Sequence, residues 1–376
     1  MRLLTVTFDP PTGQGGIEGR AIAYTDGLVR RGVHVEVAAL SPRQHESEER
    51  YQGTKLFRLS SSLHRLPWTL RSLAGLMSRS SLDSVFILSG ASTVAGMATL
   101  CFSRLTGRRS GVMFYGRDIL QSRKRPTGRL SLLLCLLLAG RVGTNSRYTM
   151  KLLPFRPRKP PVVVYPGVDE AMAEGLTKGS YQGGVRMLFV GRLVRRKGVD
   201  ILLAAFGQLK AEFPSLRLDI VGDGPEMPNL EALAQELAIG DAVTFHGALF
   251  ERRLRDVYAG ASLLVLPSRQ SSSDVEGFGT VFLEAGVFGL PSIGTRTGGI
   301  PEAVVDGVTG RLVDPESIDD LRNAIRNLLD DPREMERLGS NARERARLFS
   351  WERSTDQVLR LLGEGGGGAG PPARGP

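Results

Sequence analysis

The chain has 376 residues, with 49 Lys and Arg against 39 Asp and Glu, for a formal net charge of +10 at pH 7. Apolar residues make up 41% and charged residues 23%, which is a folded globular composition with room for two domains and excludes disordered, collagen-like and disulfide-stapled chains. Cys101 and Cys135 match no metal or redox spacing and are expected as buried free thiols of a reducing compartment.

The start, MRLLTVTF, enters a strand at once and carries no cleavable apolar region, so no export signal is expected. Leu3 to Phe8 is read as a strand, the Gly-rich loop Pro10 to Gly16 follows, then a helix over Ile17 to Arg31 and a strand over Val33 to Leu40. The loop is not a dinucleotide fingerprint, because Glu18 stands where the third glycine is required, and no P-loop run occurs. Ser41 to Ser62 reads as polar and irregular, and Leu63 to Ser80 as a helix with a basic face. Ser84 to Ser103 is uncharged over 20 residues, but Ser, Gly and Thr throughout make it a strand followed by a packed helix rather than a membrane span. Gly111 to Tyr115 is a strand ending in Gly116-Arg117-Asp118. Arg123, Lys124 and Arg125 precede the apolar stretch Leu130 to Ala139, too short to span a bilayer and read as a core helix that could also rest on a membrane surface. Val142 to Thr144 and Val162 to Tyr165 close the first half, and Thr177 to Gly184 reads as a hinge.

The second half alternates more cleanly: strands over Met187 to Val190, Leu216 to Val221, Ala242 to Phe245, Ser262 to Leu266 and Ser292 to Gly294, with helices over Val199 to Phe213, Met227 to Leu237 and Leu254 to Gly260. Such alternation gives an α/β fold with a doubly wound parallel sheet in each of two domains. The expected limits are 1–178 and 179–350, before a Gly/Pro tail at 363–376. Residues 1–180 hold 26 Lys and Arg against 12 Asp and Glu, and the rest 23 against 27; a basic half beside a mildly acidic one either meets something anionic, with nucleic acid, a lipid phosphate or a membrane surface as candidates, or reflects a generally Arg-rich proteome.

Residues with chemistry fall where strands end, along one edge of the second sheet. They are Gly191, Arg192 and Lys197; Asp223 and Gly224; His246; Glu276, Gly277, Phe278, Gly279 and Thr280; and Gly298-Gly299. A strand (ASLLVLP), a Gly-containing loop and a helix start make an anion site, since the free N–H groups of the first turn face the ligand. Carboxylates beside such a site, Glu276 and Glu284, need other work, such as accepting hydrogen bonds from hydroxyls. The ligand this describes has a diphosphate in the middle and hydroxyls at both ends, as a nucleotide sugar does. Arg192 and Lys197 can neutralise phosphate as a planar fork and a point charge. His246 has no Cys or His partner at ligand spacing, which makes zinc improbable and a loop or stacking role the expectation. No DxD motif occurs, so no acidic metal clamp is expected.

The segments LFVGRLVRRKGVDILLAAF, LDIVGDGP, VTFHG, LPS, EGFGTVFLEAGVFGLP, GTRTGGIPEAV and DGVTGRLV together resemble the retaining glycosyltransferases of family 4, which have the GT-B fold of two facing Rossmann-like domains with the last helix crossing back to the first. The first half matches more loosely, through GQGGIEGR, GTNSRYT and VYPGVD, and Trp351 resembles the start of that last helix, which the resemblance places over 351–362 and assigns to the first domain. The resemblance implies that Gly15 and Gly16 approach the donor, and that Arg192 and Lys197 bind its diphosphate. It further implies that Glu276 holds the sugar hydroxyls, that Phe278 to Thr280 offer N–H groups, and that Glu284 holds the ribose. The implied activity is retaining hexosyl transfer without an obligatory metal or other cofactor, from a nucleotide sugar to a glycan, lipid-linked or small-molecule acceptor. The free cysteines and the missing export signal make a cytoplasmic setting the expectation, and the basic first half with its Arg123–Arg125 cluster separately suggests an anionic membrane surface as a partner; no nucleic acid partner is expected.

Two departures stand out. The family's His-Gly-x-Asp reads Tyr115-Gly116-Arg117-Asp118 here, and tyrosine, titrating near ~10, carries protons poorly at neutral pH. Pro166 replaces the usual Asn before Gly167. A sugar-nucleotide-binding pseudoenzyme, and a phosphorylase or epimerase on the same fold, therefore stay open as alternatives.

Overall fold

A computed structural model of the chain describes residues 1–8, 16–41, 47–51, 54–60, 66–78, 81–176, 184–272 and 274–363. Gly15, most of the Pro10–Gly16 loop, the expected hinge up to residue 183 and the tail beyond residue 363 lie outside them. The chain forms two compact units, one of residues 1–166 with the segment that begins at Trp351, the other of residues 167–350.

The first unit carries the strands β1 (Arg2–Thr7), β2 (His34–Ser41), β3 (Ser47–Tyr51), β4 (Thr54–Ser60), β5 (Ser84–Ile87), β6 (Arg109–Phe114), β7 (Arg141–Thr144) and β8 (Val162–Val163). Their order is β3-β4-β2-β1-β5-β6-β7-β8, with every pairing parallel except β3 with β4. The β3–β4 pair corrects the expectation that Ser41 to Ser62 is irregular. Strand β3 (SEERY) is charged because it is an edge strand, while β4 buries Leu56, Phe57 and Leu59. The helices are α1 (Gly16–Arg30), α2 (Leu66–Met77), α3 (Val94–Leu105), α4 (Arg117–Ser122), α5 (Pro126–Leu138) and α6 (Arg147–Lys151). Both faces of the sheet are covered, which is why its strands read as continuous apolar runs. In β5, Val85 and Ile87 enter the core under α2, α3 and α5, and Phe86 enters the opposite core under α1. Cys135 is buried in the first of these cores, but Cys101 is exposed on α3, contrary to expectation.

The second unit has β9 (Arg186–Val190), β10 (Arg217–Val221), β11 (Val243–Gly247), β12 (Leu263–Leu266), β13 (Ser292–Thr295) and β14 (Gly310–Val313). They are all parallel, in the order β11-β10-β9-β12-β13-β14. The helices α7 (Val199–Lys210), α8 (Met227–Glu236), α9 (Glu251–Gly260), α10 (Thr280–Val287), α11 (Ile300–Ala303), α12 (Ile318–Asp330) and α13 (Pro332–Ala346) connect and flank them. Strand order reverses between β9 and β12, and an open α/β sheet leaves its ligand crevice at the carboxyl ends of such a pair.

The last helix, α14 (Trp351–Leu361), packs in the first unit. Leu361 lies over β6 and β7 where they carry Gly111 and Gly143; a Cβ on Gly143 would sit 2.8 Å from the Leu361 side chain. Arg31 at the end of α1 pairs with Asp356 at 2.9 Å, and the Tyr165 N–H donates to Gln357 at 2.8 Å. No helix among the described residues is long and apolar enough to cross a membrane.

Candidate active site

The crevice between β9 and β12 is built by backbone contacts that only glycine permits. A Cβ on Gly222 would lie 1.9 Å from the Gly191 carbonyl oxygen, and one on Gly224 2.2 Å from that of Leu193. The loops after β9 and β10 are joined by Leu193 N–H to Asp223 O at 2.8 Å and Glu226 N–H to Leu193 O at 3.1 Å. Buried Leu193 anchors the first loop. A 3-10 turn over Arg195–Lys197 then ends at Gly198, with φ 69°, where a side chain would meet the Pro267 carbonyl. This turn buries Lys197, whose ammonium passes beside Gly191, 3.7 Å from where a Cβ would stand.

From the other side comes the loop after β12. Phe278 fills a pocket of the core and meets the Phe349 ring at 5.5 Å, so its side chain anchors the loop. Gly279, at φ 86°, turns the chain into α10. Gly298 and Gly299 press on the loop from β13: a Cβ on either would lie 2.3 Å from the Glu276 carbonyl or 2.1 Å from that of Gly277. The N–H groups of Gly277 and Gly279 have no protein acceptor among the described residues. They stand where α10 begins, where unpaired amides attract anions.

The two loops meet through charge. Glu276 Oε2 lies 2.6 Å from Lys197 Nζ and 2.8 Å from a guanidinium nitrogen of Arg196, and Arg196 also reaches Asp274 at 3.2 Å. Burial alone would raise the Glu276 pKa, but Lys197 and Arg196 outweigh it and bring it down to about 2. Glu276 is therefore ionised at neutral pH, held by two cations in a partly desolvated crevice. Arg192 is exposed, with no side-chain partner among the described residues.

Other expected site residues have protein partners. Asp223 turns back to accept from the Gly224 N–H at 2.6 Å. His246 sits at the end of β11, not in a loop, and its Nε2 lies 2.7 Å from Asp219, which Arg186 also engages at 2.9 Å. Glu284, on α10, accepts from the Tyr258 hydroxyl at 2.7 Å; burial, then the Glu284 charge, pushes the Tyr258 pKa well up. In the first unit, Tyr115 and Asp118 follow β6. Asp118 accepts from the Tyr115 N–H at 3.1 Å and the Ile119 N–H at 2.9 Å, and burial raises its pKa to about 6 against those hydrogen bonds. The Arg20 guanidinium lies 5.2 Å from the Tyr115 ring centre. Gly16 is the first residue of α1.

The structure thus brings Gly191, Lys197, Glu276 and the Gly277–Thr280 backbone together, with Arg192 in the same loop. Arg196, Asp274, Tyr258 and Asp219 complete these contacts and were not singled out from sequence. Asp219 alone left a signal, as an isolated charge inside the apolar strand RLDIV. Among the described residues no three His, Cys, Asp or Glu side chains are grouped to hold a metal ion.

Residues 177–345 match the family described as glycosyl transferases group 1, and residues 14–171 match glycosyltransferase family 4. A GDP-mannose-dependent alpha-(1-6)-phosphatidylinositol monomannoside mannosyltransferase of Mycolicibacterium smegmatis is 32% identical over 368 residues, covering 93% of this chain and 94% of that one. A D-inositol 3-phosphate glycosyltransferase of Thermobifida fusca is 35% identical over 212 residues, covering 52% of this chain and 48% of its own. The fold matches a sucrose-phosphate synthase of Thermosynechococcus elongatus (TM-score 0.79, 22% identity, 96% and 98% of the two chains). It also matches Anabaena HepE in complex with UDP and glucose (TM-score 0.77, 21% identity, 96% and 99%).

Proposed function

The chain belongs to the family 4 glycosyltransferases of group 1, with two parallel-sheet α/β domains of the GT-B kind, and on that premise we propose that it transfers a hexose from a nucleoside-diphosphate sugar to a lipid-linked acceptor, retaining the anomeric configuration and requiring no metal. Mannose from GDP-mannose is the favoured donor over glucose or N-acetylglucosamine, because the relative matched along almost its whole length uses it. The observation that carries the reading is the buried contact of Lys197 with Glu276 beside the unpaired amides of Gly277 and Gly279.

In this reading the donor diphosphate takes the Lys197 ammonium, the Arg192 guanidinium and the amides at the start of α10. These stabilise the charge that builds on the leaving nucleoside diphosphate. Glu276, ionised throughout, accepts from the sugar hydroxyls and opposes the positive charge that develops at the anomeric carbon. The acceptor oxygen attacks from the face the diphosphate leaves, and a phosphate oxygen takes its proton, so Tyr115 is not needed as a base. Glu284 holds the ribose with its orientation set by Tyr258.

The test is turnover over a panel of GDP-mannose, UDP-glucose and UDP-N-acetylglucosamine with a phosphatidylinositol mannoside acceptor dispersed in detergent, with and without chelator. Transfer from GDP-mannose with an α-anomeric product, unchanged by chelator, is expected. Preference for a UDP sugar, a β product or abolition by chelator would overturn the corresponding part.

A further inference from the structure

The loops after β9 and β12 meet through Lys197, Arg196 and Glu276, and they are fastened a second time through Arg269. Arg269 follows β12 directly after Pro267 and Ser268. Its backbone N–H donates to the Arg196 carbonyl at 2.7 Å. Its guanidinium donates to the Arg195 carbonyl at 3.0 Å and, as a two-pronged fork, to both carboxylate oxygens of Asp200 at 2.6 and 2.7 Å. Asp200 lies in the first turn of α7, where a carboxylate also suits the positive end of the helix. One side chain therefore grips both the 3-10 turn Arg195–Lys197 and the helix that follows it.

The turn needs that grip. It is closed by the Lys197 N–H to the Val194 carbonyl at 2.8 Å and the Gly198 N–H to the Arg195 carbonyl at 3.2 Å, and 3-10 bonds are weaker than those of an α-helix. The fork is charge-assisted, and the Arg269 side chain is only 17% exposed. Burial works to raise the Asp200 pKa, but Arg269 more than offsets it and holds the carboxyl below its usual range. The remaining ionic contact of Arg269, 3.5 Å to a 67% exposed Glu316, is of the kind that contributes little.

In the functional reading the donor diphosphate draws on Lys197 and the sugar hydroxyls on Glu276, so the direct contact of these two side chains gives way to the donor. The partners of Arg269 are a backbone carbonyl and Asp200, neither of which the donor claims. We propose that Arg269, through Asp200 and the Arg195 carbonyl, is a positioning residue that fixes the basic turn, so that Lys197 and Glu276 keep their spacing once the donor has separated them. The proposal rests on that reading for its effect on turnover, whereas the hold on the turn is measurable without donor.

The experiment compares wild type with Arg269→Gln, Arg269→Lys, Asp200→Asn and the double variant Arg269→Gln/Asp200→Asn, with Glu316→Gln as control. It reads donor saturation kinetics, melting curves and amide hydrogen exchange over residues 194–198 of the free protein. Arg269→Gln should lower kcat about thirtyfold or more, because small misplacements of charged groups are costly in the transition state. The donor KM should stay within about threefold, since the loosened turn can still bring Lys197 to a bound diphosphate. Asp200→Asn should match it and the double variant should be no worse, as partners in one contact are not additive. Arg269→Lys, which keeps the charge without the fork, should fall between, and Glu316→Gln should behave as wild type. Exchange over 194–198 should quicken about tenfold in Arg269→Gln and Asp200→Asn while the rest of the chain keeps its protection. Wild-type exchange there, a wild-type kcat, a KM rise that accounts for the whole loss, or additive losses in the double variant would overturn the proposal. Quickened exchange in a protein whose wild type transfers no sugar from any donor would instead count against the functional reading and leave the hold on the turn standing.

Discussion

Lys197 and Glu276 are 79 residues apart in the chain and 2.6 Å apart in space, joined because β9 and β12 are neighbours at the point where strand order reverses. Both side chains are nearly closed to solvent, and Arg196 shares the same carboxylate oxygen. A buried pair broken on one side leaves an uncompensated charge. Lys197→Ala is therefore expected to lower stability by about 2–4 kcal/mol and turnover by about 10²–10³, read by melting curves and donor saturation kinetics. The carboxylate is stabilised in the folded state, so its contribution to stability is present above the ordinary carboxylate range and is lost as pH falls from about 4.5 through about 2. Glu276→Gln should flatten that acid limb.

Arg192 stands apart from this cluster. With no partner for its side chain among the described residues, loss of the guanidinium removes no contact from the fold. Arg192→Ala should change stability by less than about 0.5 kcal/mol while lowering kcat/KM for the donor about a hundredfold. Wild-type kinetics in this variant would remove Arg192 from the site.

Gly299 supports the glutamate loop by close approach. An added methyl would lie 2.1 Å from the Gly277 carbonyl oxygen and 3.1 Å from the Phe278 Cα, all backbone that cannot rotate away. Gly299→Ala should cost about 1–3 kcal/mol and lower turnover by displacing Glu276. Gly260→Ala, with open space around it, is the control and should be neutral or slightly stabilising.

Asp118 gives a pH dependence of opposite sign. Burial raises its pKa from 3.8 to about 6 in the fold, so the folded state holds the proton more tightly than the unfolded one. That stability is present below about 3.8 and is lost as pH rises through about 6. Asp118→Asn, which keeps an acceptor for the Tyr115 amide, should abolish the decline in melting temperature over that interval. A wild-type slope in the variant would assign the dependence elsewhere.

Much of this architecture is visible in the sequence because both faces of each sheet are buried: SVFI and LLVL read as strands on apolar content alone. Strand β3 is not visible, since an edge strand protects itself with Glu48, Glu49 and Arg50 and so looks like a loop. Motif resemblance picked out Lys197 and Glu276 but could not reveal their direct contact, which depends on strand order. Arg196 was hidden for a related reason: within Arg195-Arg196-Lys197 only the 3-10 turn decides which side chains face Glu276 and which face solvent. His246 read as a loop residue because its partner, Asp219, lies on another strand.

The most direct test of the account is a crystal structure with GDP-mannose bound. The diphosphate should lie against Lys197, Arg192 and the amides of Gly277 to Thr280, with Glu276 accepting from mannose hydroxyls. A nucleotide seated elsewhere, with the Lys197–Glu276 contact closed and the amides at the start of α10 unused, would contradict it.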